Sequence, residues 1–162
     1  MVGLPDLFDG GIATTIEDAE RQMRANFETG GARLRQAIAE LVAHPAVDGK
    51  AAGAVGFSYG GFHLLNLLSG ASLPLRAVVT YYATHQLPAA HVPVMAHLAA
   101  DDSYESAEDM DALRTGLAAS GPPNIVYAYP GTKHWFAEAD RPEFDAAAAT
   151  LAFERTVGFL KG

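Results

Sequence analysis

A serine set among glycines, an aspartate pair and a histidine follow one another along the chain, and together they supply the three groups that covalent acyl chemistry needs. The serine lies in Gly56-Phe57-Ser58-Tyr59-Gly60-Gly61, the aspartates are Asp101 and Asp102, and the histidine is His134. The Gly-x-Ser-x-Gly run follows the small apolar stretch Ala51 to Val55 and precedes an apolar helical pattern, which is the setting of a nucleophile elbow. Side chains in place of the glycines would collide with adjacent backbone, and the strained φ/ψ of such a turn aims the serine Oγ outward. A helix beginning just past Ser58 directs free N–H groups and its positive dipole end at developing negative charge, so the Tyr59 N–H is the expected oxyanion donor.

A serine hydroxyl is a weak nucleophile near neutral pH, so it needs a base within hydrogen-bond reach, and the base needs an orienting acid. His134 is the best placed of the six histidines. Tyr129-Pro130-Gly131-Thr132-Lys133 leads from a strand into its loop, and Trp135-Phe136 anchors that loop apolarly. The acid is Asp101 or Asp102, since both follow one apolar strand and precede a helix. Glycines and serines also build ordinary turns; the order Ser, Asp, His is what raises the catalytic reading above that plain one.

The elements that must position these groups are legible in the apolar spacing. Met1 to Phe8 reads as the tail of a strand entering a loop at Asp9-Gly10-Gly11. Apolar residues at Ile16, Ala19, Met23 and Phe27, then at Leu34, Ile38 and Leu41, predict two helical pieces or one kinked helix. Gly30-Gly31 is the expected break, and Thr14 or Thr15 the cap. Strands are expected over 51–57, 75–82, 93–98 and 125–129, and helices over 61–68, 107–119 and 144–160. This alternation predicts a single α/β domain, residues 1–162, whose mainly parallel sheet is covered on both faces. Ligands in such sheets sit at the carboxyl ends of strands, where the elbow, the aspartate pair and the His134 loop all fall.

With 162 residues and a formal net charge of −8, the chain is large enough for one sizeable core and ill suited to nucleic acid, because its 11 basic residues are scattered. The absence of cysteine removes disulfides, thiolate metal sites and a cysteine nucleophile. No run is long and apolar enough to span a bilayer, and no signal-peptide pattern opens the chain, so the expected location is cytoplasmic with no membrane partner. No phosphate loop, dinucleotide fingerprint or defensible metal spacing occurs, and no cofactor is expected. Glu105, Glu108, Asp109 and Asp111 read as acids loading a helix N-terminus and its solvent face.

Several stretches together resemble the dienelactone hydrolase family of α/β-hydrolases. They are the Ser58 elbow, the strand Pro93-Val94-Met95-Ala96-His97-Leu98 leading to Asp102, and Tyr129 through Phe136. Leu4-Pro5-Asp6-Leu7-Phe8, and Arg141-Pro142 with Phe144-Asp145, complete the set. Counted from Pro93, the resemblance puts the acid on Asp102. It implies a three-layer α/β-hydrolase fold and a catalytic set of Ser58, Asp102 and His134. Three departures stand out. Family members commonly carry cysteine at the elbow where this chain has Ser58. The prototype holds its substrate's carboxylate with arginines, one of them shortly after the histidine, in a neighbourhood that here carries Glu138. The Pro-Asp-Leu motif follows several strands in the family, whereas almost nothing precedes Leu4 here, so the expected fold lacks its N-terminal strands. That missing part normally supplies a second oxyanion N–H, whose loss costs about a hundredfold to a thousandfold in rate. It also leaves the elbow strand without a neighbour, which fits a fragment or misplaced start, a compact relative that covers the edge with its own helix, or a homodimer that completes the sheet, the last favoured because an uncovered apolar edge promotes association.

The expected activity is therefore serine-dependent hydrolysis of a small ester or lactone. The alternatives are an acyl transferase or thioesterase with the same triad, and a non-catalytic binding or association module. Tyr82 and Trp135 are the expected substrate-binding residues. Tyr81 and His85 are placed at the entrance with Tyr82. His97 is expected to be a hydrogen-bonded core residue, and His63 to face away from the nucleophile.

Overall fold

The computed structural model describes residues 1–49, 51–70 and 72–162. Its sheet contains β1 (Ala52–Phe57), β2 (Leu75–Tyr81), β3 (Val94–Ala99) and β4 (Ile125–Tyr129), all parallel and in sequence order. One row of partners, Val55 with Val79, Val79 with Met95 and Met95 with Ile125, runs across all four strands. Every residue of β3 is buried, as its continuous apolar sequence requires of a central parallel strand.

Helices α1 (Ile16–Ala25) and α2 (Phe27–Ala43) precede the sheet. Helix α3 (Tyr59–Leu68) carries the chain from β1 to β2, α4 (Ala107–Ala119) from β3 to β4, and α5 (Ala146–Lys161) follows. Alternate residues of β2 feed two cores. Val78 joins Leu34 and Ile38 of α2, Leu64 and Leu65 of α3, and Leu113 of α4. Val79 joins Phe136 and Ala152, with Phe159 and Leu160 of α5 packed against them. The result is three layers, with α2, α3 and α4 on one face and α5 on the other. Side-chain caps set the helix starts: Thr15 accepts from the Asp18 N–H at 3.1 Å, Ser106 from Asp109, and Asp145 from Ala147 and Ala148.

Two expectations are corrected. Met1 to Phe8 is not strand but an irregular segment, with Val2 84% and Leu4 92% exposed and only Leu7 buried. Asp6 closes its turn by accepting from the Phe8 N–H at 2.7 Å and from the Gly10 N–H. Arg33 ties this segment to α2 through the Leu7 carbonyl and Asp9, both at 3.3 Å. The helical stretch does break in two, but at Asn26 rather than at Gly30-Gly31. Gly30 lies within α2 because the helix touches α3 there: a Cβ would overlap the Tyr59 hydroxyl and lie 2.8 Å from His63 Nε2.

Among the described residues no strand precedes β1, which pairs only with β2 and leaves Val55 and Phe57 nearly half exposed. No helix among them is long and apolar enough to cross a membrane.

Candidate active site

Ser58 sits between β1 and α3 with φ 46° and ψ −115°, a backbone state that L residues occupy only under constraint. The constraint is steric and local. A Cβ on Gly56 would lie 2.7 Å from the Gly60 carbonyl carbon and the Gly61 nitrogen, and one on Gly61 would lie 2.7 Å from Ala83 Cβ. The Ser58 N–H donates to the Tyr81 carbonyl at 2.9 Å, fixing the turn to β2. Within α3 the first backbone bond from the start runs from the Phe62 N–H to the Ser58 carbonyl. The Tyr59, Gly60 and Gly61 N–H groups thus precede the intrahelical ladder, and Ser58 makes no side-chain cap bond to them.

His134 Nε2 lies 2.8 Å from Ser58 Oγ, while its Nδ1 lies 2.8 and 3.0 Å from the two carboxylate oxygens of Asp102. The His134 and Asp102 side chains are 4% and 1% exposed, so the pair is shielded from water while Ser58 is partly open. Asp102 Oδ1 also accepts from the N–H groups of Tyr104 at 2.8 Å and Glu105 at 3.2 Å, which fixes its rotamer. With Asp102 accepting from Nδ1–H, Nε2 is left to accept from the serine hydroxyl. Asp101 is exposed and serves the loop instead, donating its N–H to the Thr132 carbonyl at 3.0 Å.

The set spans the sheet. β1 and β4 are its two outer strands, roughly 14 Å apart by ordinary strand spacing. The chain leaving β4 turns at Gly131, φ +75°, and crosses back over the ends of the inner strands to reach Ser58. Thr132, bonded through its hydroxyl to the Tyr129 carbonyl at 2.8 Å, holds the start of that crossing.

Of the expected substrate contacts, Trp135 lines a cavity of about 450 Å³ that also contains Ser58, Tyr59, Tyr104 and His134. Its ring meets His134 edge-on at 5.1 Å, its backbone has φ 67°, and the Arg141 guanidinium lies 4.0 Å over its face. Tyr82 is placed differently from the expectation. It is fully buried, packs 4.9 Å from the His134 ring and donates to Glu138 Oε1 at 2.8 Å, so it supports the cavity wall from behind. Burial, and then the Glu138 carboxylate, hold its hydroxyl protonated far above the ordinary phenol range. Tyr81 is also buried, bonded to Thr156 Oγ1 at 2.7 Å, and does not line an entrance. The Tyr59 hydroxyl points away to the Asn26 carbonyl at 2.8 Å, while its N–H lies in the first turn of α3, ahead of the intrahelical ladder.

His97 is a bonded core residue, between the Tyr129 hydroxyl at 2.8 Å and Thr156 Oγ1 at 3.0 Å. His63 is buried with neither ring nitrogen bonded among the described residues, and burial lowers its pKa. Two residues named in the sequence without a role in the site belong to it. Glu138 lines the cavity, and Glu105, expected on a solvent face, is half-buried behind Asp102 and bonded to the Thr84 hydroxyl. Burial pushes the Glu105 carboxyl up to about 7. The signal for Glu105 was its place just before the Ser106 cap, close behind Asp102.

A larger cavity of about 730 Å³ runs along the open side of β1, between that strand, α2 and the N-terminal segment. Ser58 and Tyr59 border it too, but its lining is mainly apolar and lacks His134, so Ser58 and His134 meet only at the smaller cavity.

Comparison with known proteins bears on the family and the fold. The profile of the Dienelactone hydrolase family matches residues 1–162. A curated Azospirillum brasilense protein, provisionally named carboxymethylenebutenolidase, is 37% identical over 70 residues, covering 43% of this chain and 29% of that protein. The solved structure of m3DLH superposes with a TM-score of 0.79 at 22% identity over 96% of this chain and 72% of that one. A Klebsiella pneumoniae protein, provisionally named dienelactone hydrolase, superposes at 0.74 with 16% identity over 88% of this chain and 66% of its own. The chain thus spans under a third of the curated relative and about two thirds of the solved structures, whose likeness is one of fold.

Proposed function

The chain belongs to the dienelactone hydrolase family, and from that premise we propose that it is a serine-dependent hydrolase of small esters or lactones working through an acyl-enzyme at Ser58. The observation that carries this is the unbroken hydrogen-bonded series from Asp102 through His134 to Ser58, on a strained elbow at the mouth of a cavity. In the proposed reaction Ser58 Oγ bonds to the ester carbonyl carbon as its proton passes to His134 Nε2. The oxyanion so formed meets the Tyr59 N–H and the positive end of α3. Collapse breaks the carbon–oxygen bond to the leaving alcohol, which takes the proton from His134. Water then attacks the acyl carbon, giving one proton to His134 and keeping the other on the acid's oxygen; the acyl carbon–Oγ bond breaks, and Ser58 Oγ takes the proton from His134. Asp102 keeps its negative charge throughout, holding the imidazole and stabilising the imidazolium. Trp135 shapes the substrate space; no cofactor enters the scheme.

The test is intact mass after exposure to a small fluorophosphonate. One stoichiometric adduct that vanishes in Ser58→Ala is expected. A folded chain that stays unmodified defeats the proposal and favours the alternative to which the open β1 edge lends weight, a hydrolase fold used for association. An acyl transferase or thioesterase would label equally, and product analysis with competing acceptors separates those from an ester hydrolase.

A further inference from the structure

We infer that Glu138 makes this site select esters that carry a positive charge; the inference rests on the ester-hydrolase proposal and names its substrate class. Three charged side chains besides the triad line the cavity: Glu20, Arg141 and Glu138. Two have their own neighbours. Glu20 lies 3.5 Å from Arg24, and Arg141 stacks 4.0 Å over Trp135 with its Nε 4.0 Å from Glu143, a long ion pair without a hydrogen bond. Glu138 has no cation within 4.0 Å among the described residues, the ion pairs there being made by other acids.

The Glu138 carboxylate is also held in place. Its Oε1 accepts from the hydroxyl of Tyr82, which is fully buried, so the acid is fixed by a side chain that has no freedom to follow it into water. One oxygen is committed and a carboxylate accepts at two, so an acceptor remains for a ligand. Tyr104 lines the same cavity and offers aromatic surface there, whereas the Trp135 ring is already faced by Arg141. A carboxylate and an aromatic ring in one partly desolvated pocket attract an ammonium group by Coulombic and cation–π terms and repel a carboxylate. The chain's net charge of −8 acts in the same direction at long range.

Trp135 is the sole tryptophan, so its fluorescence reports on this cavity without any turnover. The experiment titrates that signal with choline, its neutral isostere neohexyl alcohol, and the anion tert-butylacetate. Wild type is expected to bind choline about tenfold more tightly than the alcohol and to show no saturable change with the anion. In Glu138→Gln the choline advantage falls to within about threefold. Tyr82→Phe, which frees the carboxylate, should retain only part of it. Equal titration by choline and the anion in wild type, or an advantage unchanged in Glu138→Gln, overturns the inference. Turnover of a neutral p-nitrophenyl ester is followed in parallel. Choline preference without turnover defeats only the hydrolase proposal, while turnover without preference defeats only the role of Glu138.

Discussion

Half-buried Glu105 and buried His97 are groups whose protonation pulls stability in opposite directions. The His97 imidazole takes a proton near 6.5 when unfolded but only at about 4 in the fold, chiefly because of burial and then Arg155. Its contribution is complete above 6.5 and is lost as pH falls toward 4. Glu105 moves from 4.5 unfolded to about 7 folded, again mainly by burial, so its contribution is present below 4.5 and lost as pH rises through 7. Glu105→Gln keeps a partner for Thr84 and removes the second dependence. Allowing for Glu105's partial exposure, the variant should gain about 1–2 kcal/mol on wild type as pH rises across that interval. Urea titrations at its two ends measure this, and a constant difference would mean that Glu105 is as well solvated folded as unfolded. Reactive groups were easier to read than such supports. Ser58, His134 and the acid pair stand out because chemistry restricts their types, whereas the roles of Glu105 and Tyr82 depend on which neighbours bury them.

At the scale of elements, the glycines of the elbow look equivalent in sequence and are not equivalent in space. A Cβ on Gly56 meets fixed backbone at 2.7 Å, while one on Gly60 meets nothing within 4 Å. Gly56→Ala should therefore cost about 1–3 kcal/mol and displace Ser58. Gly60→Ala, in the first turn of α3, should be neutral or stabilising by up to about 1 kcal/mol. Thermal melts of the pair decide it, and equal losses would point to a backbone role shared by both. The four strands and the later helices were legible because burial on both faces demands continuous apolar runs, as in β3. Residues 1–8 misled because Val2 and Leu4 are apolar yet exposed, with no strand alongside to receive them. Gly30 misled in the opposite way: it is small so that α2 can approach Tyr59 and His63, and the break falls at Asn26, where no packing demands a glycine.

Across the whole molecule, the open side of β1 and the apolar cavity of about 730 Å³ beside it are the features a second copy would cover, and such a dimer is proposed on that ground. Sedimentation velocity across a range of concentrations should show self-association, weakened by Val55→Lys on that strand; a monomer at every concentration would exclude it. The sheet also joins its strands in the order in which the chain supplies them. Each parallel pair closes over a single crossover, through α3 between β1 and β2 and through α4 between β3 and β4, so each step needs only the chain between neighbouring strands. Ser58 leaves the first strand and His134 the last, so the proposed nucleophile meets its proposed base only in a chain whose first and last strands are both in place. Serine labelling then becomes a census: the fraction of chains carrying an adduct during refolding counts completed sheets, molecule by molecule, and separates them from compact chains in which the final strand has yet to arrive.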